Sequence, residues 1–195
     1  MESDERVRWR RLLEKELSSA RQIHSEGVAQ CARQLAKHWG ADPDKAERAG
    51  WLHDLTKEKS KEEHFALFEQ FSADPDETEQ QIPNLWHAVS GAWLVFRCLV
   101  PNDLEIFSAI RWHTTGCPGM TLLDKILYAA DFIEPNRNYF DVEFYRREAF
   151  RDLDNALRLG MRWNLLSLLE KQVPVHPRTV EAYNEQTRKQ ERNLL

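Results

Sequence analysis

The stretch Thr121-Leu122-Leu123-Asp124-Lys125-Ile126-Leu127-Tyr128-Ala129-Ala130-Asp131-Phe132-Ile133-Glu134-Pro135 decides the fold class. Thr121 followed three residues later by Asp124 is a capping-box pattern, which opens a helix by satisfying its first free N–H groups. Leu122, Leu123, Ile126, Leu127 and Ala130 then fall on one side at helical spacing. Pro135 stops the run, because the residue before a proline is pushed out of helical geometry. The same signals recur on either side. Ser60 with Glu63 opens a short helix through Phe71. Asp42 caps a helix that has Pro43 at its first position and runs towards His53 and Asp54, and Gly40 closes the one before it, at about 22–39. Further helices are expected at about 5–18, 84–99, 102–112 (started by Asn102 after Pro101) and 144–171 (with Gly160 as a weak point), and from Pro177 into a polar tail. The acidic stretch 72–83 and the segment 114–120, with Gly116, Pro118 and Gly119, read as loops. No segment alternates like a strand. The expectation is an all-α chain, a single domain over residues 1–195 with roughly eight helices and its core at about 22–172.

With 195 residues, 42% apolar and 30% charged, the chain has the composition of a globular protein with one substantial core. A net charge of −5 gives no general attraction to phosphate backbones, which argues against a nucleic-acid partner. Arg8, Arg10 and Arg11 are diluted by Glu5, Glu14 and Glu16 and read as a solvated helix face. The cysteines, Cys31, Cys98 and Cys117, have neither zinc-type spacing nor pairing. Cys31 and Cys98 lie in apolar surroundings and read as small core residues, and the odd, sparse set fits a reducing cytoplasm. The N-terminus is too charged for a signal peptide. The most apolar run, 92–100, is broken by Arg97 and falls short of the ~20 residues that span a bilayer, so no membrane partner is expected.

Asp131 raises the first chemical question. It sits in the apolar body of its helix, where an unpaired carboxylate is costly, and a metal ligand or an ion pair is the remedy. His53-Asp54 raises the second. An imidazole and a carboxylate side by side at a helix end can bind one divalent ion, or the carboxylate can bridge two; they can equally be an exposed terminal pair. Trp51 and Leu52, with Gly50 permitting close packing, favour a half-buried site in which a cation must neutralise the carboxylate. Lys57, three residues beyond Asp54, is either a surface lysine or a charge aimed at phosphate. His24, His87 and His113, taken singly, read as core or capping histidines or as further ligands.

Their order joins them: His24, His53-Asp54, His87, His113, Asp131. This pattern resembles the HD-domain superfamily of metal-dependent phosphohydrolases, and within it the chain is similar to the bacterial YqeK family of symmetrical dinucleoside tetraphosphatases. The resemblance rests on His53-Asp54-Leu55-Thr56-Lys57, on His113-Thr114-Thr115-Gly116, on the run from Lys125 to Arg137, and on the tail from His176 to Asn184, and it covers nearly the whole chain from about His24 to Asn184. One departure is Leu55-Thr56, where the family pattern has an aromatic and a small residue.

The resemblance implies an HD-type bundle in which His24, His53, Asp54 and Asp131 hold one metal, while His87 and His113, with Asp54 bridging, hold a second. It favours iron, with manganese, cobalt and zinc compatible with the donor set. It also implies a reaction. Two cations about 3.5–4 Å apart can bind a phosphate oxygen and acidify a water between them, and the resulting hydroxide would attack diadenosine tetraphosphate to release two ADP. In that scheme Asp54, Lys57 and Asp131 are catalytic, and Lys57 and Arg137 clamp the other phosphates. Thr114, Thr115 and Gly116 present hydroxyl and N–H groups to the same oxygens. Arg137 is also open to a structural role, paired with Glu134 or Asp141. Tyr139, Phe140 and Trp112 are candidates for base stacking, although aromatic residues in such bundles more often belong to the core. The dinucleoside polyphosphate is the expected partner, and a homodimer is left open. The competing readings are another HD-type nucleotidase or cyclic-dinucleotide phosphodiesterase, and a non-catalytic, metal-stabilised binding module.

Overall fold

Capping chemistry places the helices. A computed structural model describes residues 1–193, with side chains for 1–189. Its eleven α-helices are α1 (Ser3–Glu16), α2 (Ser19–Trp39), α3 (Pro43–Leu52), α4 (Lys61–Phe71), α5 (Glu77–Gln81), α6 (Trp86–Leu94), α7 (Leu104–Trp112), α8 (Leu122–Ile133), α9 (Val142–Arg151), α10 (Leu153–Glu170) and α11 (Pro177–Asn193). Among the described residues there is no strand, so the all-α reading holds. The capping boxes at Ser60 and Thr121 form as expected, with Glu63 and Asp124 reaching back to the cap N–H groups, and Asp42 accepts from Asp44 N and Lys45 N. Gly40 closes α2 at φ 77°, in the left-handed region.

Several expectations need correction. The helices number eleven among the described residues, not roughly eight. One extra helix, α5, lies inside the acidic stretch read as a loop, opened by a capping box between Asp76 and Glu79. Another comes from the segment 144–171, which divides at Asp152. That residue is extended (φ −152°, ψ 97°) and its carboxylate accepts from Asn155 N at 3.0 Å, restarting the chain as α10. Gly160 does not weaken α10; it admits the ring of Phe132, which would lie 3.3 Å from an added methyl. Helix α7 is capped by Asp103 rather than Asn102, because Asn102 adopts φ 64° and leaves Asp103 to accept from Glu105 N and Ile106 N. The segment 84–99 is a 3-10 turn (Pro83–Leu85), α6 and then a π-helical turn (Val95–Leu99). That wider turn swings Cys98 into solvent, so Cys98 is not a core residue, whereas Cys31 and Cys117 are buried. The end of the polar tail, residues 194–195, lies outside the described residues.

Helix α2 packs on α3 and α8, α7 packs on α3 and α8, and α6 lies across α7 and α4. The common core runs through Val28, Leu35, Leu52, Ile106, Ile110, Ile126 and Leu127. Trp9, Leu13 and Leu17 before it and Ala182 after it join the same core, so α1 buries one face while Arg8, Arg10 and Arg11 stay exposed. No helix among the described residues is long and apolar enough to cross a membrane.

Candidate metal centre

Three helices deliver side chains to one point at their C-terminal ends: α3 with His53 and Asp54, α7 with His113, and α8 with Asp131. Helix C-termini carry partial negative charge from their free carbonyls, so their convergence favours a cation. Helix α2 adds His24 and the first turn of α6 adds His87. All four histidines and Asp54 are buried, and Asp131 is partly so.

Asp54 stands at the centre, and its two oxygens face different histidines. Oδ2 lies 3.6 Å from His53 Nε2 and 3.9 Å from His24 Nε2. Oδ1 lies 3.2 Å from His87 Nε2 and 3.6 Å from His113 Nε2. Asp131 Oδ1 is 3.1 Å from His24 Nε2. Within this cluster two groups have ligand atoms close enough together to share an ion, His24-His53-Asp131 and His53-Asp54-His113.

The protonation states fit a cation. Burial pushes the pKa of His53 down to about 4 and that of His87 down to about 3, so both rings are neutral at pH 7. His53 Nδ1 donates to Gly50 O at 2.8 Å and His113 Nδ1 to Ile110 O at 2.7 Å, which leaves each Nε2 with a lone pair aimed inward. Burial disfavours ionising Asp54 and Asp131, yet the neighbouring imidazoles outweigh it and hold both carboxyls well below their usual range. Burial likewise disfavours the His24 imidazolium, but Asp131 and Glu134 more than compensate and raise it to about 9, so a cation that uses this ring must displace the proton on Nε2, which lies 3.1 Å from Asp131 Oδ1. His24 Nε2 and His53 Nε2 are buried without a hydrogen-bond partner of good geometry. Buried polar atoms are seldom left so, and lone pairs and carboxylates that converge this way call for a positive ion between them. The donor set fits the metals its chemistry implies.

Around the cluster stand cations. Arg137 donates to Asp131 from Nη2 (2.7 Å to Oδ1) and from Nε (2.9 Å to the carbonyl), so its ion pair is with Asp131 and not with Glu134 or Asp141. Arg21 reaches Asp54 Oδ2 at 3.1 Å. The Lys57 ammonium sits 3.2 Å from His87 Nε2, and burial pulls its pKa down. Of the loop after α7, only the Thr114 hydroxyl meets the cluster, 3.1 Å from His113 Nε2. Thr115 donates to Gly116 O, and Gly116 N donates to Trp112 O, so these two groups are spent on closing α7. The departure at Leu55-Thr56 has a local use: Leu55 is core, and the Thr56 hydroxyl donates to His87 O at 3.0 Å, fixing the turn that carries His87.

Beside Asp131 a cleft of about 220 Å³ opens, lined by Thr114, Tyr128, Arg137, Tyr139, Trp163 and Asn164 among others. Tyr139 stacks on Trp163 with ring centres 5.5 Å apart and an interplanar angle of 30°. Phe140 projects into solvent, 89% exposed, and Trp112 carries the guanidiniums of Arg111 and Arg178 over its ring, so neither lines this cleft. The sequence alone does not single out Trp163, Arg21 and Asn164. Only Arg21 left a signal there, three residues before His24 and so on the same helix face.

Comparison with known proteins agrees with this geometry. The HD domain model matches residues 21–136, more than half of the chain. The chain is 41% identical to the symmetrical bis(5'-nucleosyl)-tetraphosphatase of Bacillus subtilis over 88% of its own length and 92% of the relative's. It is 38% identical to the protein of the same name from Halalkalibacterium halodurans, over 89% and 92% of the two chains. Its fold matches the crystal structure of a predicted HD superfamily hydrolase involved in NAD metabolism from Clostridium acetobutylicum with a TM-score of 0.89 at 31% identity, covering 94% of this chain and 97% of that one. The chain is a member of the HD-domain family, in its group of symmetrical bis(5'-nucleosyl)-tetraphosphatases.

Proposed function

We propose that the protein hydrolyses diadenosine tetraphosphate symmetrically: water adds to the second phosphorus from one end, the anhydride bond between the two central phosphates breaks, and two ADP leave. The observation that carries this reading is the division of four histidines into two pairs by the two oxygens of buried Asp54. In it, His24, His53, Asp54 and Asp131 hold one cation, and His87, His113 and Asp54 hold another. Bound there, two divalent ions supply the Lewis acidity that neutralises phosphate charge and activates water. Imidazole and carboxylate donors accept iron, manganese, cobalt or zinc, and iron follows from the family resemblance.

The remaining work belongs to the chain's own side chains. Arg137, held through Nε and Nη2 by Asp131, keeps Nη1 for a phosphate oxygen, and Lys57 and Arg21 add charges on the other sides of Asp54. Thr114 offers a hydroxyl at the edge of the cluster. Tyr139 and Trp163 give one nucleoside an aromatic wall beside Arg137. Cysteines left free and a nucleotide substrate fit a cytoplasmic setting.

The direct test incubates the protein with diadenosine tetraphosphate and separates the products. Two ADP per substrate, lost on chelation and restored by a divalent ion, is the expected result. AMP with ATP would overturn the cleavage register, and 5′-monophosphate as sole product would favour a nucleotidase. A second expectation concerns the aromatic wall. Trp163→Ala should raise KM roughly 5- to 150-fold with kcat little changed, since base–aromatic stacking is worth about 1–3 kcal/mol. An unchanged KM would place the nucleoside elsewhere.

A further inference from the structure

A neutral histidine can offer Nε2 to a cation only when its proton is on Nδ1. His53 and His113 meet this condition through backbone carbonyls three residues back. His24 does not. Its Nδ1 donates instead to Glu134 Oε1 at 3.2 Å, across 110 residues of chain. Glu134 is buried in the turn after α8, and its other oxygen accepts from Asn136 N at 2.6 Å and Asn136 Nδ2 at 3.0 Å. Arg146 of α9 pins that turn by donating to the carbonyls of Ile133 (2.9 Å), Glu134 (2.7 Å) and Arg137 (3.1 Å). On α2, Gly27 lies three residues after His24 and leaves the carboxylate its space. A methyl group there would overlap Glu134 Oε2 and come within 2.9 Å of Asn136 Nδ2.

We propose that Glu134 is a positioning residue for the first cation, holding His24 in the tautomer that turns a free Nε2 into the cluster, in a slot that Gly27 keeps open. The proposal rests on the reading of the cluster as a metal centre. A carboxylate behind a ligating imidazole fixes the ring and strengthens it as a donor, and losing such a partner costs about 10–100-fold in metal affinity. Arg146 extends the device, because the turn it holds carries both Glu134 and Arg137.

Glu134→Gln separates this role from packing. Both ends of the carboxylate meet donors, two from Asn136 and one from His24. An amide has one oxygen, which satisfies more donors if it turns to Asn136. Its NH2 then faces His24 Nδ1 and selects the tautomer with the proton on Nε2, which cannot ligate. The variant keeps the size and shape of the side chain. The experiment strips the wild type, Glu134→Gln and Gly27→Ala of metal, titrates Mn²⁺ against a competing chelator, counts ions per chain, and follows helix content by circular dichroism. The wild type should bind two ions. Glu134→Gln should keep its helix content and bind one of them about 10–100-fold more weakly, with the other unchanged, and Gly27→Ala should shift the same ion. Two ions at wild-type affinity in Glu134→Gln would overturn the role of Glu134 and leave the metal centre standing. Fewer than two ions in the wild type would overturn the two-cation reading and this proposal with it.

Discussion

Asp54→Ala is expected to lower turnover of diadenosine tetraphosphate by more than about 100-fold, since even partners that only support a metal ligand cost about 10–100-fold when lost. The reason is geometric. Among the described residues Asp54 is the one carboxylate within 4 Å of both histidine pairs, with Oδ2 towards His24 and His53 and Oδ1 towards His87 and His113. Truncation removes an anionic oxygen from both sites at once and leaves Asp131, which lies beside His24. The fold should survive. Arg21, which pairs with Asp54, is 37% exposed and can return to water, and Lys57, whose pKa burial already pulls down, can give up its proton, so no buried charge is stranded. Asp54→Asn sharpens the test, because it is isosteric but keeps only one acceptor oxygen and presents an NH2 to one histidine pair. It should lose an ion per chain and most of its turnover with unchanged helix content. Circular dichroism, metal analysis and product chromatography on both variants check this. Turnover within about threefold of wild type in Asp54→Ala would remove Asp54 from the mechanism.

Much of this site can be read along the chain, and what escapes reading has a common cause. His53 and Asp54 are legible because Gly50, Trp51 and Leu52 mark the end of a packed helix. Asp131 is legible because a carboxylate in the run Ile126 to Ala130 demands a partner. Neither argument shows that the two carboxylates meet, and the order of motifs supplied that step through family resemblance. Residues that act through contacts distant in sequence stayed hidden. Glu134 stood in a quoted motif, yet nothing local says that its carboxylate reaches His24 on α2. Trp163 lies on a long amphipathic helix where an aromatic residue is ordinarily core, and its stacking on Tyr139 is set by how α9 and α10 fold back on α8. The boundary errors are local competitions: Asp152 and Asp103 each used a carboxylate to start a helix, one where continuous periodicity suggested no break and the other where Asn102 had looked the better cap.

Gly50→Ala should destabilise the protein and weaken the first cation together, although alanine is the better helix former. Intrinsic propensity favours alanine by about 0.8–1.0 kcal/mol in a helix interior. Packing opposes it. A methyl group at Gly50 would lie 2.5 Å from Ala29 Cα and 2.7 Å from Ala29 N, which are backbone atoms that cannot rotate away. Only a shift of α2 against α3 relieves the overlap, and overpacking of this kind costs about 1–3 kcal/mol. Around the crossing Ala29, Ala32, Ala46 and Ala49 are fully buried, so there is no slack nearby to absorb the change. Contacts this short with backbone atoms put the cost at the upper end of that range, so the overlap outweighs the propensity gain and the expected net loss is about 2 kcal/mol by urea denaturation. The same shift reaches the site. Helix α2 carries His24, α3 ends at His53, and Gly50 O is the acceptor that orients His53. Parting the helices separates the two rings, now 5.3 Å between centres, while His87 and His113 stand on α6 and at the end of α7. Gly50→Ala should thus lose affinity for one ion while retaining the other, and excess Mn²⁺ should recover part of the stability because the ion binds the folded state. Gly40→Ala is the control. It strains a left-handed residue at φ 77° with open space around it, so it should cost stability by about 1 kcal/mol without touching either ion. If Gly50→Ala is as stable as the wild type with both ions bound, the close crossing of α2 and α3 does not set the spacing of His24 and His53.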